Sequence, residues 1–216
     1  MTKLLRFLFF LLIVRPLVLV IIGLNVRRRS LLPAQGPAVV IANHNSHLDT
    51  LVLISLFPLC LLPKLRPVAA MDYFLRNRWL AWFALNIIGI IPLRRGVKAS
   101  HDDPLAEVVV ALDNDDILIL FPEGSRGETE RVGRFKTGIA HIAQRRPEVP
   151  MVPMVPVYLH GLGMALPKGD FVLVPFFCDV FVGEALHWQG DRKAFMNGVT
   201  ECMTALSGEG RFPAWE

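Results

Sequence analysis

The sequence alternates short apolar segments rich in valine and isoleucine with longer segments of helical periodicity, and this alternation restricts the fold most. The apolar segments predict strands at 37–42, 66–70, 87–93, 117–121, 152–159 and 171–177. The periodic segments predict helices at 48–57, 73–86, 104–114, 136–145 and 191–206. Strands that alternate with helices predict a single α/β domain with a mixed, largely parallel central sheet flanked by helices.

Size and composition restrict the class of protein further. With 216 residues, 53% of them hydrophobic, the chain can form one compact domain and still have apolar surface for lipid. The net charge of +4 suits an anionic membrane surface or a phosphorylated substrate, and no nucleic-acid motif accompanies it. Cys60, Cys178 and Cys202 are isolated, so neither a disulfide framework nor a thiolate metal site is predicted.

Residues 1–30 predict a membrane anchor, and 31–216 the remaining domain. The anchor contains two apolar runs interrupted by Arg15 and Pro16, and it ends in three arginines at 27–29. A continuous span needs about 20 apolar residues, and an arginine at bilayer centre costs about 2.5–3.5 kcal/mol. A kinked hairpin, a monotopic anchor and a single span therefore remain open. The basic cluster predicts that the domain lies at the cytoplasmic face of a membrane.

The predicted helix at 73–86 is also ambiguous. It carries Trp79, Trp82 and Phe83 beside arginines. Amphipathic aromatic and basic side chains suit the interface of a bilayer, but the same residues are compatible with an ordinary core helix that has a solvated basic face.

The segment NHNSHLD, at 43–49, follows the first predicted strand, where functional residues gather in α/β proteins. If Ser46 caps the following helix, the Asp49 carboxylate can turn back to the His44 ring. A carboxylate bound to one ring nitrogen fixes the imidazole tautomer and makes the other nitrogen a general base. The alternative is an S-x-x-D capping box, in which Asp49 only binds a peptide N–H of the helix end.

A second polar segment, FPEGSRG, follows the predicted strand at 117–121 and contains Glu123, Gly124, Ser125 and Arg126. Arginine has a planar fork that matches phosphate oxygens, and glycine lets a ligand approach the backbone. Together with Lys136 in the FKTG segment, the loop predicts a site for a phosphate headgroup. A glycine-rich turn with a surface ion pair is the alternative.

A third predicted strand, at 87–93, is followed by Arg94 and Arg95. These arginines could be an ordinary solvated strand end. However, three strand ends now carry a base, an acid and several cations, and one cleft could collect them all. The coincidence favours a functional role for all three.

Together these motifs resemble the glycerolipid acyltransferases typified by 1-acylglycerol-3-phosphate acyltransferase. That family has a His-x4-Asp block, a strand ending in arginine, a Glu-Gly-Thr-Arg block and a late Val-Pro-hydrophobic strand. The corresponding segments here lie at 44–49, 89–95, 123–126 and 155–157, in the same order. The resemblance covers about residues 37–160.

The resemblance implies that a fatty acyl group moves from acyl-CoA or acyl carrier protein, as co-substrate, to the hydroxyl of a lysophospholipid. No metal or other cofactor is implied. His44 would deprotonate the acceptor and Asp49 would orient His44. The implied substrate-binding residues are Arg95, Glu123, Gly124, Ser125, Arg126 and Lys136.

The implied acceptor is 1-acyl-sn-glycerol 3-phosphate and the product is phosphatidic acid. Two residues depart from the family pattern: Ser125 replaces threonine, and Arg94 replaces an acidic residue. Because Arg94 adds positive charge, another lysolipid such as lyso-ornithine lipid is an alternative acceptor.

Three other functions compete with this hypothesis. His44, His47 and Asp49 form H-x-x-H-x-D, which could serve a metal-dependent hydrolase but lacks the H-E-x-x-H spacing. A serine hydrolase would need a G-x-S-x-G elbow, which the chain lacks, and Ser125 lies in E-G-S-R-G instead. The third alternative is a noncatalytic module whose basic and aromatic residues only bind membrane headgroups.

Overall fold

A computed structural model of the chain describes residues 1–71, 77–93, 103–125, 133–145, 152–166, 174 and 176–210. Within these residues, seven strands form one sheet in the order β1-β7-β6-β2-β5-β3-β4. All neighbouring strands are parallel except β6 and β7. The prediction of a largely parallel sheet is confirmed. The strands are β1 Leu24–Arg27, β2 Ala38–Ala42, β3 Leu65–Ala70, β4 Ile91–Leu93, β5 Ile117–Leu120, β6 Met154–His160 and β7 Cys178–Val182.

Helices cover both faces of the sheet. The α-helices are α1 Thr2–Phe9, α2 Asp49–Ser55, α3 Arg78–Phe83, α4 Ala106–Asp113, α5 Gly138–Gln144, α6 Leu162–Ala165 and α7 Arg192–Glu209. Wider π-helical turns occur at Phe10–Val14, Leu17–Ile21 and Ala84–Ile88, and 3₁₀ turns at Arg29–Leu31 and Leu59–Lys64.

Successive strand residues point to opposite faces of the sheet. In β2, Ala38, Val40 and Ala42 contribute to one apolar core, and Val39 and Ile41 contribute to the other. The first face is covered by the N-terminal helical segment and α2, and the second face by α4, α5 and α7. Because both faces are covered, the strands are apolar throughout, as their sequences predicted.

The N-terminal segment packs directly on the first face of the sheet. Phe10, Val14, Val18 and Ile22 recur every four residues and are almost fully buried in that core. The chain then continues into β1, which pairs with β7 at the edge of the sheet. The sequence did not predict this strand, because its residues are only half apolar and they follow directly on the apolar runs.

The arginines of this segment point toward the protein. The Arg6 guanidinium is buried and donates to the carbonyls of Leu65 and Ile88, at 2.9 and 3.0 Å. Arg15 donates to the carbonyl of Phe57 at 3.0 Å. The outward surface of the segment is apolar, and its large exposed side chains are Leu4, Leu5, Phe7, Leu8, Leu11, Leu12, Ile13, Leu19 and Val20. Among the described residues, no single helix is both long and apolar enough to cross a bilayer.

Several boundaries differ from the prediction. The strand predicted at 87–93 is confined to β4, because the helical chain continues to Ile88 and ends at Gly89, whose φ is +81°. That left-handed conformation favours glycine. The strand predicted at 171–177 lies mostly outside the described residues, and the last strand begins at Cys178. The described part of the helix predicted at 73–86 forms α3 and the turn Ala84–Ile88.

Candidate active site

The carboxyl ends of three parallel strands bring the two predicted motifs together. β2 lies between β5 and β6, so the turn that follows β2 is next to the turn that follows β5. The His44 ring stacks on the Phe121 ring, with centroids 4.3 Å apart and planes inclined by 24°. The aromatic contact holds the imidazole against the second turn and fixes one side of the site.

His44 and Asp49 form the predicted pair. His44 Nδ1 is 2.9 Å from Asp49 Oδ2, and the carboxylate is fully buried while 21% of the imidazole side chain is exposed. The same oxygen accepts the peptide N–H groups of Asn45 and Ser46, at 2.6 and 2.8 Å. Because Nδ1 is bound to the carboxylate, Nε2 is the ring nitrogen that can take a proton from a substrate.

Asp49 performs both roles that the sequence left as alternatives. Its bond from the Ser46 N–H is the backward bond of a capping box, and its bond to Nδ1 orients the imidazole. The helix begins later than a cap at Ser46 implies, at Asp49, but the Ser46 hydroxyl still accepts the peptide N–H of Leu48 at 3.3 Å, as a capping serine does. The Ser46 hydroxyl also donates to the carbonyl of Leu166 at 3.0 Å and ties the turn to the end of α6.

Burial and hydrogen bonding act in opposite directions on Asp49. Burial raises the pKa of its carboxyl group, while the His44 contact and the N–H groups of Ser46 and Asn45 favour the ionised form. The ionised carboxylate is the form that holds Nδ1–H and stabilises a protonated ring.

Asn43 is a structural residue of the site that sequence reasoning missed. Its buried side chain makes two bonds to the backbone of Leu159, donating at 2.9 Å and accepting at 2.7 Å. The amide therefore extends the pairing of β2 with β6 by one residue and fixes the start of the turn that carries His44. Its position directly after an apolar strand was the available signal.

The turn after β5 carries Glu123, Gly124 and Ser125. Gly124 has a φ of +71°, and a β-carbon there would collide with the ammonium group of Lys136, so the lysine side chain lies directly across the turn. Lys136 is also fixed by its peptide N–H, which donates to the carbonyl of Pro122 at 2.9 Å. Lys136 and Ser125 are exposed. The predicted grouping of these four residues is thus present in the fold.

Glu123 differs from its neighbours because it is only 6% exposed. Neither carboxylate oxygen has a hydrogen-bond partner of good geometry among the described residues. Burial raises the pKa of this carboxyl group, opposed by the nearby peptide N–H groups of Gly133 and His44 and by the His44 ring. A buried carboxyl group without a hydrogen-bond partner lowers the stability of the folded state. A hydroxyl group or a cation of a bound substrate can supply that partner.

Three predicted residues lie outside the described part of the chain: Arg94, Arg95 and Arg126. The metal alternative finds no support in the described residues, where no group of three or more His, Cys, Asp and Glu side chains is placed to hold an ion. His44 is held by a carboxylate and an aromatic ring instead.

Comparison with known proteins is consistent with this geometry. The model of the family described as Acyltransferase matches residues 23–160, well over half of the chain. The chain belongs to the acyltransferase family. The matched region contains both turns, as well as β1, which the sequence had placed in the anchor.

Individual acyltransferases support the assignment. The chain is 29% identical over 148 residues to the chloroplastic 1-acyl-sn-glycerol-3-phosphate acyltransferase LPAT1 of Arabidopsis thaliana, covering 68% of this chain and 38% of that protein. It is 29% identical over 135 residues to the human 1-acyl-sn-glycerol-3-phosphate acyltransferase alpha, covering 62% of this chain and 45% of that protein. The chain thus spans less than half the length of these relatives.

A solved structure shares the fold. The 1-acyl-sn-glycerophosphate (LPA) acyltransferase PlsC from Thermotoga maritima aligns with a TM-score of 0.75 at 21% identity. The alignment covers 99% of this chain and 81% of that chain, so it includes the N-terminal helical segment.

Proposed function

We propose that this acyltransferase moves a fatty acyl group from an acyl thioester to the free hydroxyl of 1-acyl-sn-glycerol 3-phosphate, giving phosphatidic acid. The observation that carries the proposal is the contact between His44 Nδ1 and the buried Asp49 carboxylate. The names of the Arabidopsis and human relatives support the acceptor.

The reaction proceeds by direct attack. Nε2 of His44 accepts the proton of the acceptor hydroxyl while the oxygen attacks the thioester carbonyl. The C–S bond then breaks, and the imidazolium returns the proton to the departing sulfur, which leaves as the thiol. Asp49 stabilises the imidazolium that forms. General-base assistance is typically worth about 10²–10⁴-fold, and positioning of the two substrates contributes much of the remainder. No acyl-enzyme forms, so both substrates are bound together.

The acceptor headgroup binds at the turn after β5. Lys136 lies across Gly124 and supplies a cation for a phosphate, and the family motif adds Arg95 and Arg126. Glu123 lies in the same turn, and its carboxylate accepts a hydrogen bond from a protonated oxygen of the acceptor phosphate, because the one free hydroxyl of 1-acyl-sn-glycerol 3-phosphate gives its proton to His44. Acyl-CoA or acyl carrier protein supplies the acyl group, and no cofactor takes part.

The protein contacts the membrane through its N-terminal segment, which lies in one leaflet as a monotopic anchor. A helix that faces water has polar side chains on its outer surface. In this segment Arg6 and Arg15 instead point inward and bind carbonyls of the domain, and apolar side chains point outward. The cost of placing arginine in lipid is thereby avoided. Trp79 and Trp82, which are exposed on α3, extend this surface with interfacial aromatic residues. The domain then lies at the cytoplasmic face.

The test is an assay of the full chain in detergent with an acyl thioester and lysophosphatidate, in the presence of chelator. We expect free thiol and phosphatidic acid in equal amounts, and His44→Ala should lower kcat by about 10²–10⁴-fold. His141→Ala, an exposed histidine on α5, is the matched control. Unchanged turnover in His44→Ala would exclude the proposed base. A panel of lysolipids, including lyso-ornithine lipid, then identifies the preferred acceptor.

A further inference from the structure

A second apolar surface lies at the edge of the sheet where the active site is. Phe177 is 83% exposed and Val20 is 81% exposed, although both are large apolar residues. We call this surface the apolar rim. Its members come from the end of the N-terminal helical segment, from α6 and from the residues before β7, and they are Leu19, Val20, Met164, Val174, Phe176 and Phe177.

The antiparallel pairing of β6 and β7 places the rim next to the catalytic turn. His160 at the end of β6 pairs with Asp179 at the start of β7, so the residues before Cys178 lie at the carboxyl end of β6. The neighbouring residue on β6, Leu159, is bound on both backbone groups by Asn43, which precedes His44. The rim and the catalytic histidine therefore share one edge of the sheet.

Close contacts join the members of the rim. The Phe177 ring lies against Gly23, so close that a β-carbon there would be 2.9 Å from it, and Leu19 and Val20 are one helical turn before that glycine. The Phe176 ring packs in the same way against Gly161, just before α6. The Val174 N–H donates to the carbonyl of Ala165 at 2.9 Å.

We propose that the apolar rim inserts into the bilayer and extends the lipid contact of the N-terminal segment to the edge of the sheet that carries the active site. The rim continues the outward surface of the N-terminal segment through Leu19 and Val20, so a bilayer that touches one also reaches the other. Clustered exposed apolar side chains of this size are typical of a membrane or partner contact. The inward arginines of the same segment favour lipid as the occupant.

The consequence for catalysis rests on the proposed function. Both substrates carry long acyl chains, whose transfer through water is costly because every exposed CH₂ group loses its apolar surroundings. A rim immersed in the leaflet lets these chains stay in lipid while the acceptor hydroxyl reaches His44.

Vesicle binding tests the rim without depending on activity. Full-length His44→Ala protein, with and without Phe177→Ser, is floated with vesicles of phosphatidylcholine and phosphatidylglycerol. We expect the partition coefficient to fall about tenfold with Phe177→Ser and to be largely restored by Phe177→Leu, since a buried apolar side chain is worth about a factor of ten or more. The control is Val110→Ser, an exposed valine on α4 at the opposite face, which should leave binding unchanged.

Three outcomes would overturn the proposal. The first is unchanged partitioning of Phe177→Ser, and the second is an equal loss in Val110→Ser. The third is a change from dimer to monomer in Phe177→Ser with vesicle binding retained, which would make the rim a contact between copies of the chain. A second measurement uses the active protein: Phe177→Ser should lower the ratio of turnover on vesicle-embedded acceptor to turnover on a monomeric short-chain acceptor. Because the flotation uses inactive protein, its result is independent of whether the proposed reaction is correct.

Discussion

The turn after β2 and the turn after β5 lie at the same edge of the sheet, yet their buried carboxyl groups are in opposite situations. Asp49 is bonded to its own turn by two peptide N–H groups and contacts the His44 ring. Glu123 is also buried, although less completely, and neither of its oxygens has a partner of good geometry among the described residues. The difference lies in Oδ2 of Asp49, which collects three contacts from its own turn, whereas no oxygen of Glu123 has such a set among the described residues; under the proposed function, Asp49 serves the base and Glu123 the substrate.

Asp49→Asn should give the largest effect in this comparison. An amide is neutral and cannot stabilise the imidazolium, and if its NH₂ group turns toward Nδ1 the imidazole is held in the wrong tautomer. We expect kcat to fall by about 10³–10⁴-fold, as in other His–Asp pairs, measured by thiol release. Glu201→Gln on the exposed side of α7 is the control. A loss of less than about tenfold would mean that Asp49 only caps the helix.

Asn43→Ala should act on the stability of the first turn. The substitution leaves the N–H and carbonyl of Leu159 without partners in a buried place, and each unpaired group costs about 1–3 kcal/mol. We expect the free energy of unfolding in urea to fall by about 2–4 kcal/mol. Asn197→Ala, on the exposed side of α7, should change it little. If Asn43→Ala unfolds like the wild type, the turn does not depend on β6.

Glu123→Gln, unlike Asn43→Ala, should not lower the stability of the protein at neutral pH. Burial raises the pKa of Glu123, so the folded state favours the protonated form and ionisation lowers stability as pH rises through the raised pKa. The neutral variant should therefore be at least as stable as the wild type at neutral pH, and the difference should vanish in acid. Thermal unfolding across pH measures it.

The same variant should weaken substrate binding. Loss of a hydrogen bond to a charged group is worth about 1.5–3 kcal/mol, so the KM for the acceptor should rise about tenfold or more. In the wild type, this KM should rise as pH falls through the raised pKa, and in Glu123→Gln that dependence should disappear. Glu107→Gln, exposed on α4, is the control. If Glu123→Gln is less stable than the wild type and its KM for the acceptor is unchanged, Glu123 has only a structural role. The proposed difference between the turns after β2 and β5 would then be wrong.

For the N-terminal segment, the sequence predicted a membrane element but not how the segment packs on the domain. Two apolar runs predicted a membrane element, but Arg15 left its form open. The positions of Arg6 and Arg15 could not be predicted, because their acceptors are carbonyls of Leu65, Ile88 and Phe57, more than 40 residues away along the chain. The same applies to β1, which is recognisable only by its pairing with β7.

The sequence by itself determined the α/β class and the residues of the first turn. These depend on local periodicity and on a pair of side chains five residues apart, so His44 and Asp49 could be matched without long-range information. The grouping of Glu123, Gly124, Ser125 and Lys136 was also predicted, since they follow a strand that is apolar throughout; their role in binding stays a prediction.

Only the tertiary structure decided which carboxylate is internally bonded and which is not. Sequence neighbours can supply N–H groups to Asp49, but the burial of Glu123 depends on packing between strands that are far apart in the chain. The apolar rim is likewise a product of packing, because residues near 20 and near 177 meet only through the parallel pairing of β1 with β7. Long-range contacts of this kind leave no periodicity in the sequence.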